Sequence, residues 1–207
     1  MTITQRLNNN RLLTINTTQQ AAQIADEIIS LYQLHGDEDY DGEPVSQTAH
    51  MIQCGMQAMD GTADLDLIIG AFLHDIGHLL KHSQPTEAMG DYGVVNHEGI
   101  GAKYLQSKGF SDRVCAMVDM HVQAKRYLVS TDVTYHAKLS EASLQTLQWQ
   151  GGAMSDEEVK AFEEHSFFRD IIKVRLWDEE AKDPNGILVP LSYFRNLIFE
   201  YLNNEHL

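Results

Sequence analysis

The segment from Ala63 to His82 constrains the fold more than any other part of this chain, because it is apolar on nearly every side and yet carries ionisable residues. Its centre, from Ala71 to Leu80, reads AFLHDIGHLL. A helix that is apolar all round is normally buried at the centre of a bundle. The segment therefore predicts one central helix that carries His74, Asp75 and His78 into the core.

The rest of the chain predicts further helices around this one. Helix-forming residues dominate, period-two alternation is almost absent, and 43% of the 207 residues are hydrophobic, so we expect an all-α fold. No repeat or linker-like tract divides the sequence, and we expect one domain over residues 1–207. The other helices are predicted from Thr17 or Thr18 to His35, from Pro44 onward, from His97 to about Gly109, after Ser111, near 138–150, after Ser155, near 166–182 and from about Pro190.

The charge and the cysteines limit the classes of function. Fifteen Lys and Arg residues stand against thirty Asp and Glu residues, which gives a formal charge of -15. This field repels nucleic-acid backbones and anionic lipid, so neither nucleic acid nor a membrane is an expected partner. The sequence shows neither a signal-peptide core nor an apolar run of membrane-spanning length. Cys54 and Cys115 lie in helical patterns, which predicts packed, reduced thiols in a cytoplasmic protein.

Histidine and aspartate recur on the predicted helices. The recurring residues are His50, His74, Asp75, His97, His121 and Asp178. Successive histidines of this set are 24, 23 and 24 residues apart. A buried carboxylate is costly unless its charge is compensated, and a metal ion is the simplest compensation. A single His–Asp pair would fit an ordinary hydrogen-bonded core pair, whereas this set has enough ligands for two metals bridged by Asp75.

This pattern resembles the HD-domain superfamily, in which histidines and aspartates lie on bundled helices and HDIGH is a common form of the core motif. Most members are similar to metal-dependent phosphohydrolases. The resemblance therefore implies a single-domain HD-type helical bundle, a metal site in its core and a phosphate-like substrate. An extra pair of histidines favours two metals over one, and some dinuclear hydrolases also have it.

A narrower resemblance rests on the stretch YDGEPVSQTAH, which begins at Tyr40. Its Tyr-x-x-Glu pattern resembles the mixed-valent diiron oxygenases, specifically their organophosphonate-degrading dioxygenases, over about residues 20–180. The resemblance implies two iron ions, Fe(II) and Fe(III), bound by His50, His74, Asp75, His97, His121 and Asp178. It also implies that Tyr40 is a displaceable iron ligand and that Glu43 faces the cationic nitrogen of the substrate. The simpler interpretation of this loop is a solvated acidic turn; its other acids are Asp37, Glu38, Asp39 and Asp41.

The same resemblance implies further substrate contacts from His78, Lys125, Ser143, Thr146 and Arg175. The spacing agrees, because Lys125 lies four residues after a proposed ligand, Arg175 lies three before another, and Ser143 lies three before Thr146. Arginine suits bidentate contact with phosphonate oxygens, and lysine supplies a point charge. The alternatives are a helix ion pair between Arg175 and Asp178 and a solvated Lys125. In so acidic a protein, the group together favours an oxyanion pocket.

The implied reaction is oxidative cleavage of a carbon–phosphorus bond. The substrate would be a 1-hydroxy-2-(amino or trimethylammonio)ethylphosphonate, and with dioxygen it would give phosphate and glycine or glycine betaine. The acidic loop slightly favours the methylated substrate. The alternatives are an HD-domain phosphohydrolase acting on a nucleotide or small phosphate ester, a sugar or inositol oxygenase, and a catalytically silent module that binds a nucleotide signal. The histidines that fit no ligand spacing are predicted to be structural or exposed: His35, His82, His136, His165 and His206.

Overall fold

The fold is a bundle of α-helices. The computed structural model describes residues 3–38, 42–82, 87–89 and 93–204. Within these ranges it describes the side chains of all residues except 3–16 and 82. The helices are α1 (Ile3–His35), α2 (Gln47–Gly61), α3 (Leu65–Leu73), α4 (Ile76–Leu79), α5 (His97–Ser107), α6 (Asp112–Thr131), α7 (Val133–His136), α8 (Glu141–Trp149), α9 (Asp156–Glu163), α10 (Phe168–Glu180) and α11 (Leu191–Asn204). Over the described ranges the extended structure amounts to one isolated bridge, between Ala88 and Val94. The all-α prediction is confirmed.

Helix α3 lies at the centre of the bundle. Its Phe72 ring is stacked between Tyr32 of α1 and Phe194 of α11, with ring centroids 4.7 and 4.0 Å away. Tyr32 also donates its hydroxyl hydrogen to the backbone oxygen of Phe72 at 2.9 Å. All three side chains are almost completely buried, so this stack joins α1, α3 and α11 in one core. Helices α2 and α6 pack against α3, while α5 and α10 pack against α6.

The prediction of one continuous helix from Ala63 to His82 is wrong, because the helix is interrupted at His74 and Asp75. Helix α3 ends before them, and α4 begins after them and runs into a 3₁₀ turn at Leu80–His82. Asp75 has φ −104° and ψ 13°, close to the sparsely populated bridge region in which many active-site residues lie. A Cβ atom on Gly77 would lie 1.9 Å from the backbone oxygen of His97, so glycine is required where α4 meets α5.

Two predicted helix starts differ from the structure, whereas two others agree with it. Helix α1 begins at Ile3 instead of Thr17 or Thr18. Helix α2 begins after an N-cap at Ser46, so Pro44 lies outside its first turn. The predicted helix starts after Ser111 and Ser155 are confirmed: Ser111 accepts the Val114 N–H at the start of α6, and Ser155 forms a capping box with Glu158 at the start of α9.

Two further observations bear on the expected setting of the protein. Cys54 and Cys115 are buried free thiols, which agrees with the prediction of packed, unpaired cysteines. Among the described helices, none combines the length and apolar character needed to cross a membrane.

Candidate active site

Five parts of the bundle bring the six predicted metal ligands together. His50 comes from α2, His74 and Asp75 from the break between α3 and α4, His97 from the first residue of α5, His121 from α6 and Asp178 from α10. Each residue is at most 4% exposed. Six ionisable side chains buried at one place need strong mutual compensation, because each would be costly to bury alone.

The carboxylate of Asp75 divides the four histidines into two pairs. Its Oδ2 lies 3.2 Å from Nε2 of His74 and 3.6 Å from Nε2 of His50. Its Oδ1 lies 3.2 Å from Nε2 of His97 and 3.2 Å from Nε2 of His121. One oxygen therefore serves each pair, which is the arrangement expected of a carboxylate that bridges two cations.

Asp178 completes the first pair. Its Oδ1 lies 3.3 Å from Nε2 of His50 and 3.7 Å from Nε2 of His74. That oxygen is buried and receives no hydrogen bond, although buried carboxylate oxygens almost always have a partner. The ligand atoms of His50, His74 and Asp178 all lie within 4.8 Å of one another, close enough to bind one ion.

The backbone fixes the tautomer of all four histidines. Each Nδ1 lies 2.7–3.1 Å from a backbone carbonyl oxygen. The acceptors for His50, His74, His97 and His121 are, in that order, Ala181, Ala71, Val94 and Val118. A carbonyl oxygen can only accept, so Nδ1 carries the proton and Nε2 of the neutral ring carries a lone pair. Such Nδ1–carbonyl contacts commonly orient histidines that bind metals through Nε2.

The site therefore places nitrogen lone pairs against carboxylate oxygens, and this contact is repulsive unless cations lie between them. Protons are one possible source of positive charge. Burial alone would lower the pKa of His74, but Asp75 and other nearby groups raise it well above its usual value. Burial would raise the pKa of Asp75, but His74, His121 and His97 hold it well below its usual range. The ligand types also fit two metal cations, one beside each oxygen of Asp75.

His78, which is predicted to contact substrate, lies next to the second pair. Its ring stacks on His97 with centroids 4.0 Å apart, and its Nδ1 accepts the Val94 N–H at 3.3 Å. Burial, together with His97, holds the pKa of His78 well below its usual value, so the ring is neutral and its Nε2–H is a donor. The ligand atoms of Asp75, His78 and His97 also lie within 4.8 Å of one another. His97 and His121, by contrast, both face the same oxygen of Asp75.

A cavity adjoins this cluster. Its lining includes the predicted residues Glu43, His78, Lys125, Ser143, Thr146 and Arg175, together with Asp75, His97, His121 and Asp178. The structure thus brings six of the seven predicted substrate-contact residues to one cavity. The seventh, Tyr40, lies outside the described residues, as do Asp39 and Asp41.

Lys125 is buried, which excludes the alternative of a solvated surface lysine. It is 4% exposed, and its ammonium group donates to Oγ1 of Thr146 at 2.9 Å. Burial, reinforced by the cation of Arg175, lowers the pKa of Lys125 to about 7. A buried lysine with a lowered pKa beside a cavity is a candidate functional residue.

Arg175 makes the helix ion pair that was the alternative prediction, and it lines the cavity as well. Its guanidinium group donates to Asp178 and Glu179, and its Nε donates to the Tyr135 hydroxyl at 2.7 Å. Arg175 is only 4% exposed. Both interpretations are compatible, because one face of the guanidinium can hold Asp178 while the residue lies at the cavity wall.

The loop carboxylate of Glu43 is paired inside the protein. Ser140 donates its hydroxyl hydrogen to it, and the Lys182 ammonium lies 3.0 Å away. The solvated-turn interpretation therefore does not apply to Glu43. It does fit Asp37 and Glu38, which are exposed, and Glu38 forms a surface ion pair with Lys81.

Among the side chains that bond to the predicted cavity residues, sequence reasoning missed Tyr135, Ser140, Glu179 and Lys182. In the cavity lining it also missed Met89, Val122, Ala142 and Gln150. Lys182 lies four residues after Asp178, a spacing that could have suggested it. Ser140 also had a signal, because a serine before a helical pattern is a candidate cap. No feature of the sequence pointed to Tyr135. Of the unassigned histidines, His136 is exposed and His35 and His165 are partly buried, while the His82 side chain and His206 lie outside the described part.

Comparison with known proteins adds independent information. A family model described as HD domain matches residues 45–189, which include all six candidate ligands. The chain is 42% identical over 190 residues to an uncharacterized protein of Acanthamoeba polyphaga mimivirus, covering 92% of this chain and 87% of that one. It is 40% identical over 159 residues to 1-hydroxy-2-(trimethylamino)ethylphosphonate dioxygenase (glycine-betaine-forming) of Leisingera caerulea, covering 77% and 80% of the two chains. It is 36% identical over 170 residues to hydroxymethylphosphonate dioxygenase of Gimesia maris, covering 80% and 82%.

Proposed function

The chain belongs to the HD-domain family, and from that premise we propose that it is an iron-dependent oxygenase that cleaves the carbon–phosphorus bond of a small 1-hydroxyalkylphosphonate with dioxygen. The observation that carries the proposal is the sharing of Asp75 between two pairs of histidines whose Nε2 atoms carry lone pairs. The two relatives named as phosphonate dioxygenases support oxygenation over hydrolysis.

We propose that the cofactor is a pair of iron ions in the Fe(II)/Fe(III) state. One ion would be held by His50, His74, Asp178 and Oδ2 of Asp75, and the other by His97, His121 and Oδ1 of Asp75. Imidazole and carboxylate ligands suit iron. When bound, the ions would supply the redox chemistry required here, because hydrolysis does not break an unactivated carbon–phosphorus bond.

The other wall of the cavity would bind the phosphonate. Lys125 and Arg175 supply positive charge, and Ser143 and Thr146 supply hydroxyl groups. The neutral ring of His78 would donate its Nε2–H to a substrate oxygen. Because Arg175 already donates to Asp178, Glu179 and Tyr135, the phosphonate must share or replace some of these contacts.

The overall reaction balances without an outside reductant. The carbon–phosphorus bond and one carbon–hydrogen bond break, and the hydrogen leaves carbon as a proton. Dioxygen is reduced as one oxygen is added to the carbon, giving a carboxylic acid, and one to the phosphorus, giving phosphate. The products would be phosphate with glycine from an ammonio substrate, with glycine betaine from a trimethylammonio substrate, or with formate from hydroxymethylphosphonate.

The test is to incubate iron-loaded protein with each of the three phosphonates and oxygen, and to measure phosphate, carboxylic acid and oxygen uptake. The proposal predicts that phosphate, acid and consumed oxygen appear in equal amounts for at least one compound. Phosphate release from a nucleotide monophosphate without oxygen, with all three phosphonates untouched, would replace the oxygenase with a phosphohydrolase.

A further inference from the structure

Glu43 is an acid of the cavity lining, and it forms an ion pair with a lysine. The Glu43 side chain is 8% exposed, and its Oε1 lies 3.0 Å from Nζ of Lys182. Ser140 donates a second hydrogen bond to the same oxygen. A carboxylate held by an ammonium group and a hydroxyl has little of its charge left for another cation.

Lys182 is held in place by more than this one contact. Its ammonium group also lies 2.9 Å from Oε1 of Glu179, and it donates to Oγ of Ser143 at 3.3 Å. The Lys182 side chain is 14% exposed, and the residue lies two positions after the end of α10. The lysine therefore ties Glu43 and Ser143, two residues of the cavity wall, to Glu179, whose other oxygen accepts from Arg175.

This arrangement bears on what the far end of a substrate can carry. An ammonium or trimethylammonium group placed at Glu43 would lie beside the positive charge of Lys182, and like charges in a poorly hydrated site repel. A primary ammonium would have to share the Glu43 carboxylate with Lys182 and Ser140, which both contact its Oε1. A trimethylammonium group cannot donate a hydrogen bond and would need to displace Lys182 or tolerate it. A hydroxyalkylphosphonate with an uncharged end meets neither obstacle.

We propose, on the basis of the proposed function, that Lys182 is a specificity-determining residue. By pairing with Glu43, it makes the site select phosphonates with an uncharged end over those with a cationic end. Its role is to position and neutralise Glu43, so it acts on substrate choice through that carboxylate. Removal of the Lys182 charge exposes Glu43 to the substrate, and the preference then moves toward the cationic compounds.

The experiment compares hydroxymethylphosphonate with 1-hydroxy-2-(trimethylammonio)ethylphosphonate on iron-loaded protein. Kd is measured without oxygen, and kcat/KM is measured with oxygen. Lys182→Met removes the charge and keeps the chain length, whereas Lys182→Arg keeps the charge. Lys173→Met is the matched control, because Lys173 is an exposed lysine of α10. We expect Lys182→Met to shift the preference at least tenfold toward the cationic compound, and Lys182→Arg and Lys173→Met to keep the wild-type preference.

A second variant tests whether Lys182 acts through Glu43. In a Glu43→Gln background, Lys182→Met should shift the preference less than it does with Glu43 present, since it relieves the repulsion by the Lys182 charge but exposes no carboxylate. If Lys182→Met weakens binding of both compounds equally, or if the preference stays at the wild-type value, the inference is wrong. Should the wild type bind both compounds and cleave neither, the proposed function fails while the Kd ratio still decides the role of Lys182. Failure of the wild type to bind either compound overturns both.

Discussion

The two walls of the cavity are held by different kinds of contact. On the proposed metal-binding side, each of the four histidines is fixed by a bond from Nδ1 to a backbone carbonyl oxygen. On the proposed anion-binding side, Lys125, Arg175 and Glu43 are held by other side chains. Backbone contacts belong to the helices themselves, whereas side-chain contacts can exchange when a ligand arrives.

This difference indicates a division of labour. The metal-binding side is preorganised, because its ligand atoms converge with their tautomers already set. On the proposed anion-binding side the charged groups already bond to other side chains of the protein, and a phosphonate must replace some of those bonds. Substitutions on the first side should therefore remove metal, while those on the second should change substrate binding and leave the metal in place.

The largest effect is expected at Asp75, the residue shared by both histidine pairs. Asp75→Ala should lose both ions and all activity, whereas His121→Ala should keep about one iron per chain, because only one pair is damaged. Metal analysis after iron reconstitution measures both, with circular dichroism to check the fold. Asp112→Ala, an exposed acid of α6, is the control and should bind iron as the wild type does. Two ions retained by Asp75→Ala would show that Asp75 is no bridge.

The next effect is expected at Arg175. Arg175→Lys keeps the charge but loses the planar fork, so KM for the phosphonate should rise about tenfold or more while iron content is unchanged. Arg169→Lys, an exposed arginine on the same helix, should leave KM unaltered. Normal substrate binding by Arg175→Lys would reduce Arg175 to a helix ion-pair partner and contradict the pocket at that position.

A pH profile sharpens the same comparison at Lys125. Its pKa is lowered to about 7 by burial and by Arg175, so the ammonium form that attracts a phosphonate is present below pH 7 and is lost above it. The value of kcat/KM reports the free enzyme and should therefore fall by up to about tenfold per pH unit above pH 7 through this group. Lys125→Arg stays charged and should lack this component. Identical profiles for the two proteins would show that Lys125 does not titrate in this range.

The smallest effect is expected at two helix caps. Ser140 caps α8 and also donates to Glu43, whereas Ser155 caps α9 at an exposed position. Replacing either serine with alanine should lower the free energy of unfolding by about 1 kcal/mol, measured by chemical denaturation. Only Ser140→Ala should also change KM for a cationic phosphonate, by about threefold, because it frees part of Glu43. An equal kinetic effect from Ser155→Ala would mean that loss of stability alone explains both.

The clustering of the six candidate ligands could be predicted from the sequence, because residue type and helical placement suffice to pick them out. Buried histidines and aspartates on apolar helices have few roles, and each of His50, His97 and His121 lies on a predicted helix. The interruption at Asp75 could not be predicted in the same way. His74, Asp75 and Gly77 are weak helix formers, but three such residues within a long apolar run do not by themselves predict a break. The break accompanies a tertiary contact, the approach of Gly77 to the backbone of His97.

The pairing on the anion-binding side was equally hard to predict. Spacing along one helix suggested the ion pair of Arg175 with Asp178, but the bond from Arg175 to Tyr135 joins residues 40 positions apart. The contact between Glu43 and Ser140 spans 97 positions. Sequence periodicity reports neighbours on one element, and it carries no information on which loop closes over which helix.

The central claim is that the two histidine pairs around Asp75 hold two coupled iron ions. Anaerobic loading with iron, followed by metal analysis and electron paramagnetic resonance after partial oxidation, tests it most directly. We predict close to two irons per chain and the signal of a coupled Fe(II)/Fe(III) pair. A stoichiometry of one iron that persists after reconstitution, without the coupled signal, would contradict it.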